Sequence, residues 1–89
     1  RFHGLRMKLQ LLYFASLREA LGIERETVET DVRTIGELRV WLCARGGAYA
    51  QALAPGRNVR AALDQTMAAP ETALTPDAEV AFFPPVTGG

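Results

Sequence analysis

The chain has 89 residues, 48% of them hydrophobic and 22% charged, which suits one small globular domain with a modest core and leaves no room for a second. Ten basic and ten acidic side chains cancel, so no net field draws the chain to nucleic acid or to an anionic membrane. No apolar run approaches the ~20 residues of a membrane helix, no signal segment precedes the first strand, and the single Cys43 excludes both a disulfide framework and a zinc site, so the expectation is a cytoplasmic protein without a metal.

Residues 1–6, including the lone His3, carry no periodic pattern and read as an expression remnant or a mis-called start. From Met7, the stretch Lys8-Leu9-Gln10-Leu11-Leu12-Tyr13-Phe14 alternates and then turns apolar on both sides, as a strand entering a core does. Ser16-Leu17-Arg18-Glu19 has the form of a capping box, and Gly22 can close the short helix that follows. Glu24 to Val32 places Thr27, Val28, Thr30 and Val32 among charges, the pattern of an exposed edge strand. A second capping box, Thr34-Ile35-Gly36-Glu37, opens the main helix, with Ile35, Leu38 and Leu42 on one stripe and Gly46-Gly47 as its end.

On that helix Trp41 and Cys43 read as structural, because a thiol near a helix C-terminus has the dipole working against its ionisation. Arg45-Gly46-Gly47 follows a helix instead of joining a strand to one, so it is a C-cap and not a phosphate cradle. A further helical turn around Ala48 to Leu53 precedes the Pro55-Gly56 turn, and Asn58 to Leu63 forms a third strand. Asp64-Gln65 makes another turn, Met67-Ala68-Ala69 a short extended piece, and Leu74-Thr75-Pro76-Asp77-Ala78 a type I turn before the last strand, Glu79 to Phe83. The order implies an α+β fold with one sheet against one helix. Phe82 and Phe83 alternate, so Phe82 should face inward and Phe83 outward.

The chain then stops on Pro84-Pro85-Val86-Thr87-Gly88-Gly89. With glycine at about 7% of residues, a terminal pair arises by chance in roughly one chain in 200. The two prolines stiffen the arm and push Phe83 to an extended conformation, and six extended residues reach roughly 20 Å. Glycines without a Cβ can pass a channel too narrow for other residue pairs. This ending makes the carboxylate of Gly89 the candidate reactive group. No paired-carboxylate site, metal cluster or nucleophile with its base supports a free-standing enzyme.

The run Glu79-Val80-Ala81-Phe82-Phe83-Pro84-Pro85-Val86-Thr87-Gly88-Gly89, together with Leu12-Tyr13-Phe14-Ala15 and Leu17-Arg18-Glu19 before Gly22, resembles the sulfur-carrying small subunits of molybdopterin synthase, the MoaD-type family. The likeness runs from Met7 to Gly89. A Gly-Gly end alone would also suit thiamine-pathway or tRNA-thiolation sulfur carriers and ubiquitin-like protein modifiers; the Phe-Phe-Pro-Pro-Val-Thr lead is typical of the molybdenum-cofactor branch. One position departs: where the family usually has Gly-Asp before the Glu-Val of the last strand, this chain has Asp77-Ala78.

The resemblance implies a ubiquitin-like β-grasp fold over residues 7–83, a mixed sheet packed on one main helix with the first and last strands adjacent at its centre. Residues 84–89 would form a flexible, extended Gly-Gly tail. It implies no bound cofactor. An E1-like enzyme would spend ATP to adenylate Gly89, and a sulfur donor such as a cysteine desulfurase or a rhodanese-type protein would convert the adenylate to a thiocarboxylate. The tail, through Pro84, Pro85, Val86, Thr87 and Gly88, would enter the large subunit of a heterotetramer and deliver sulfur to cyclic pyranopterin monophosphate. Phe14, Met67 and Phe83 are the implied partner contacts.

Overall fold

In the computed structural model, which describes residues 6–85, the first alternating stretch is strand β1 (Met7–Tyr13), with Leu9, Leu11 and Tyr13 buried on one face. Helix α1 (Ala15–Leu21) follows at once and drops Leu17 into the core. Strand β2 (Arg25–Thr30) lies at the sheet edge, as its charges imply, and turns Val28 and Thr30 inward. Helices α2 (Ile35–Cys43) and α3 (Gly47–Ala52) precede strands β3 (Arg60–Leu63), β4 (Thr66–Ala68) and β5 (Glu79–Phe83).

The five strands run in the order β2-β1-β5-β3-β4. β5 is central, parallel to β1 and antiparallel to β3; the two outer pairs are antiparallel. Ile35, Leu38 and Leu42 of α2 are buried against the inward residues of β1 and β5, which confirms the helical stripe and the adjacency of the first and last strands. Burying that stripe, not intrinsic helix propensity, holds a nine-residue helix in place.

Three local expectations change. The Ser16 capping box does not form, because the Phe14 amide donates to the Phe82 carbonyl (3.2 Å) and keeps Phe14 in the sheet. The helix therefore starts two residues earlier, at Ala15 with φ 54°, and the Phe14 carbonyl accepts from the amides of Leu17 and Arg18. The Thr34 box does form: its hydroxyl oxygen accepts from the Glu37 amide (3.2 Å), while the Glu37 carboxylate accepts from the Arg33 amide (2.7 Å). Gly46 and Gly47, both at positive φ, start α3 instead of ending α2, which closes at Ala44.

The third change concerns the turn into β5. Pro76 sits at its second position, but Asp77 has φ 64° and the Ala78 amide returns to the Thr75 carbonyl (3.2 Å), so the turn is type II and not type I. A type II turn asks for glycine at this place, which accounts for the family's usual residue there. The β3–β4 hairpin turns at Asp64-Gln65 as expected, and at φ 48° and 71° these two residues form a type I′ turn without a glycine. Gly36 is a close approach: a Cβ there would lie 3.3 Å from both the Cβ and the carbonyl oxygen of Pro70, whose carbonyl accepts the Gly36 amide (2.8 Å), so a larger residue would need Pro70 to shift by a few tenths of an ångström.

Candidate functional site

The tail leaves from β5, the strand hydrogen-bonded on both sides, so whatever the tail carries is fixed to the middle of the sheet. Of the tail residues, Pro84 and Pro85 are described and half-buried; Val86, Thr87, Gly88 and Gly89 lie outside the described residues, as do residues 1–5 of the expected N-terminal remnant. Phe82, 1% exposed, points inward and stacks on Tyr13 with ring centroids 6.3 Å apart. Phe83 is half-buried on the opposite face.

Strand register shows what surrounds Phe83. Leu12 pairs with Ala81, Ala81 with Ala62 and Ala62 with Met67, so these four side chains form one apolar row across β1, β5, β3 and β4 on the face away from the helices. Phe14 follows the end of β1 on this face, and Phe83 lies one alternation beyond Ala81. Phe14 (46% exposed) and Met67 (60%) are the large apolar side chains left open there. The structure thus brings Phe14, Met67 and Phe83 onto one face of the sheet, with Phe83 ending the strand that leads into the tail. Leu12, Ala62 and Ala81 were missed in the sequence, although strict alternation from Leu11 and Phe82 gives their direction; only the register joins them.

The other face of this sheet end holds a polar cluster. Glu26 accepts hydrogen bonds from the hydroxyls of Tyr13 (2.7 Å) and Tyr49 (2.8 Å) and from the Arg45 guanidinium (3.0 Å to Oε1, 3.2 Å to Oε2). Arg45 lies over the rings of Tyr49 and Trp41, 4.8 and 5.1 Å from their centroids. Burial alone would raise the Glu26 carboxyl, but the hydrogen bonds from Tyr13, Arg45 and Tyr49 outweigh it and hold it below the ordinary carboxylate range. Burial and the bond to that carboxylate push both phenols upward. Every member has a partner, so the cluster fastens β2 and the α2–α3 junction to β1 and presents no free acid or base.

A groove of about 730 Å³ opens between α2 and the β3–β4 edge, walled by Ile35, Val40, Leu53, Ala68 and Pro70. Arg39 crosses it with its guanidinium already bonded to the carbonyls of Leu53 and Arg57 (2.8 Å each) and of Ala54. Cys43 donates to the Leu53 carbonyl (3.1 Å), in keeping with a structural thiol. Among the described residues no group of three His, Cys, Asp or Glu side chains could hold a metal ion, and no helix is long and apolar enough to cross a membrane. The groove therefore offers space without convergent chemistry, and the face with the apolar row is the better candidate.

The sequence pattern of the ThiS family matches residues 11–89. The molybdopterin synthase sulfur carrier subunit of Escherichia coli (strain K12) is 41% identical over 81 residues, covering 91% of this chain and 99% of that protein. The solution structure of the Haloferax volcanii HVO 2177 protein superposes with a TM-score of 0.77 at 28% identity, over 94% of this chain and 88% of that one. A protein–protein complex of subunits 1 and 2 of the molybdopterin-converting factor from Helicobacter pylori 26695 superposes at 0.61 and 21% identity, over 93% of this chain and all of the matched one. A five-stranded β-grasp sheet with a central C-terminal strand, matched over nearly its whole length by such relatives, places the chain in the ThiS family, within its MoaD-type branch of molybdopterin synthase small subunits.

Proposed function

We propose that the chain is the sulfur carrier of a molybdopterin synthase and that Gly89 holds the sulfur. What carries the reading is the junction of β5 with the Phe83-Pro84-Pro85 root of a Gly-Gly ending, in a chain 41% identical to a molybdopterin synthase sulfur carrier subunit. The Gly89 carboxylate attacks the α-phosphorus of ATP on an E1-like activating enzyme and releases pyrophosphate. The terminal sulfur of a persulfide on a desulfurase or rhodanese-type donor then attacks the acyl carbon as AMP leaves, and a second thiol cleaves the resulting acyl disulfide, which gives the thiocarboxylate and a disulfide on the donor side. That anion is soft and ionised at neutral pH, and so a good nucleophile.

The large subunit docks on the apolar row, with Phe14, Met67 and Phe83 as contacts, and receives the tail. The H. pylori complex of subunits 1 and 2 supports a partner of this kind. Sulfur passes to cyclic pyranopterin monophosphate, water restores the carboxylate, and two such deliveries build one dithiolene. Pro84 and Pro85 reduce the conformational freedom lost when the tail enters, and the glycines keep it slim. The acids and bases of the transfer belong to the large subunit, so this chain alone turns over nothing.

The test is the intact mass of the chain after incubation with ATP, a sulfide source and the activating enzyme of the molybdenum-cofactor pathway. A gain of about 16 Da, one oxygen replaced by sulfur, is expected, and it must vanish when Gly88 and Gly89 are deleted. No gain with an activating enzyme that modifies its own carrier would move the chain to another sulfur-carrier pathway or to protein modification.

A further inference from the structure

The apolar row is framed by charge in a polarised way. Arg25 of β2 pairs with Leu12 and so continues the row at one end, while Arg60 of β3 pairs with Phe83 at the root of the tail. Both side chains are exposed, and among the described residues neither enters an ion pair; the pairs present are Arg18–Glu24 and Arg45–Glu26. At the other end of the same strands stand Glu29, Asp64, Asp77 and Glu79, against two cations, Lys8 opposite Glu29 and the exposed Arg6 just before β1. A chain of zero net charge thus carries a local dipole along the face that bears the row, cationic at the root of the tail.

That placement is informative because the tail's own end is an anion. A channel that binds a carboxylate or thiocarboxylate is expected to be cationic inside, and cations at the tail root would be repelled by it. The two arginines approach such a channel most favourably where its mouth carries negative charge.

We propose that Arg25 and Arg60 are specificity-determining residues for docking, paired in the complex with carboxylates around the mouth of the channel that accepts the tail. This rests on the reading of the large subunit as partner. Charges of this kind at the rim of an apolar interface act on the rate of encounter and on the choice of partner more than on the lifetime of the complex. They also exclude a partner whose channel mouth is basic.

The experiment measures association and dissociation rates of the full chain with its large subunit, from about 50 to about 500 mM salt, a range over which the screening length falls severalfold. The variants are Arg25→Glu, Arg60→Glu and the pair together. Arg33→Glu, on an exposed loop away from the row, controls for net charge. At low salt the double variant should associate about tenfold more slowly or worse, with dissociation changed less than about twofold and the salt dependence flattened. Arg33→Glu should stay within about twofold of the parent. A double variant indistinguishable from Arg33→Glu, in a chain whose binding is still weakened by Phe83→Ala, would overturn the proposal and leave the partner assignment standing. A parent chain that does not bind the large subunit at all would remove the partner assignment, and the proposal with it. Thermal melts of the variants separate either result from misfolding.

Discussion

Replacing Glu26 with glutamine tests the polar cluster that fastens β2 to the rest of the molecule. The carboxylate accepts from two phenols at 2.7 and 2.8 Å and from a guanidinium at 3.0 and 3.2 Å. Hydrogen bonds to a charged group are each worth about 1.5–3 kcal/mol, but glutamine keeps one carbonyl oxygen that can still accept from a phenol. The Arg45 pair is partly open, with side-chain exposures of 33% and 19%, and screening reduces its share. A net loss of about 2 kcal/mol follows, or a fall in Tm of roughly 10 °C for a domain of this size.

The pH dependence makes the test sharp. Because folding lowers the Glu26 carboxyl from its ordinary 4.5, its contribution is present above that value and disappears as pH falls through the folded one. Folding raises Tyr13 and Tyr49, so their contribution is present below pH 10 and fades as pH rises past it. Melting curves of parent and Glu26→Gln should therefore differ by a constant amount from about pH 6 to pH 9 and draw together as pH falls below 4.5. A gap as wide at pH 3 as at pH 7 would refute the assignment of the stabilisation to the ionised carboxylate.

Phe83→Ala should weaken binding to the large subunit by about 30-fold, the effect of an aromatic anchor in an interface, while lowering Tm by only a few degrees; equal free-energy losses in the two assays would make Phe83 a core residue. Asp77→Gly should raise Tm by about 3 °C, since removing a Cβ from left-handed backbone relieves roughly 1 kcal/mol and the gain in unfolded-chain entropy takes part of it back. Thr34→Ala should cost about 1 kcal/mol in chemical denaturation by removing the acceptor for the Glu37 amide, and a serine at that position should restore it.

The architecture was legible in the sequence wherever burial alone decides. Leu9, Leu11 and Tyr13, the Ile35–Leu38–Leu42 stripe and the Phe82/Phe83 alternation all fall as their periodicities imply, because a residue on the wrong face would leave apolar surface in water. What depends on distant pairing was not legible. The Ser16 capping box has the right residues, yet the hydrogen bond from Phe14 to Phe82, 68 positions away in the chain, moves the helix start. The Glu26 cluster joins residues 13, 26, 45 and 49, and no local signal links a glutamate on an edge strand to two tyrosines. Likewise the Gly88-Gly89 ending is visible in the sequence itself, whereas the apolar row around Phe83 needed the register of four strands.

The central position of β5 has a mechanical consequence. A partner that grips the tail pulls along the axis of the strand, and β1 runs parallel to it while β3 runs antiparallel, so the ladders on both sides are loaded in shear and their hydrogen bonds share the force. An edge strand pulled from its end would peel open one bond at a time. A pull on the end of β5 is thus resisted without the sheet unravelling, and the amides closest to the tail root, in Val80 to Phe82, should be among the slowest in the molecule to exchange with solvent.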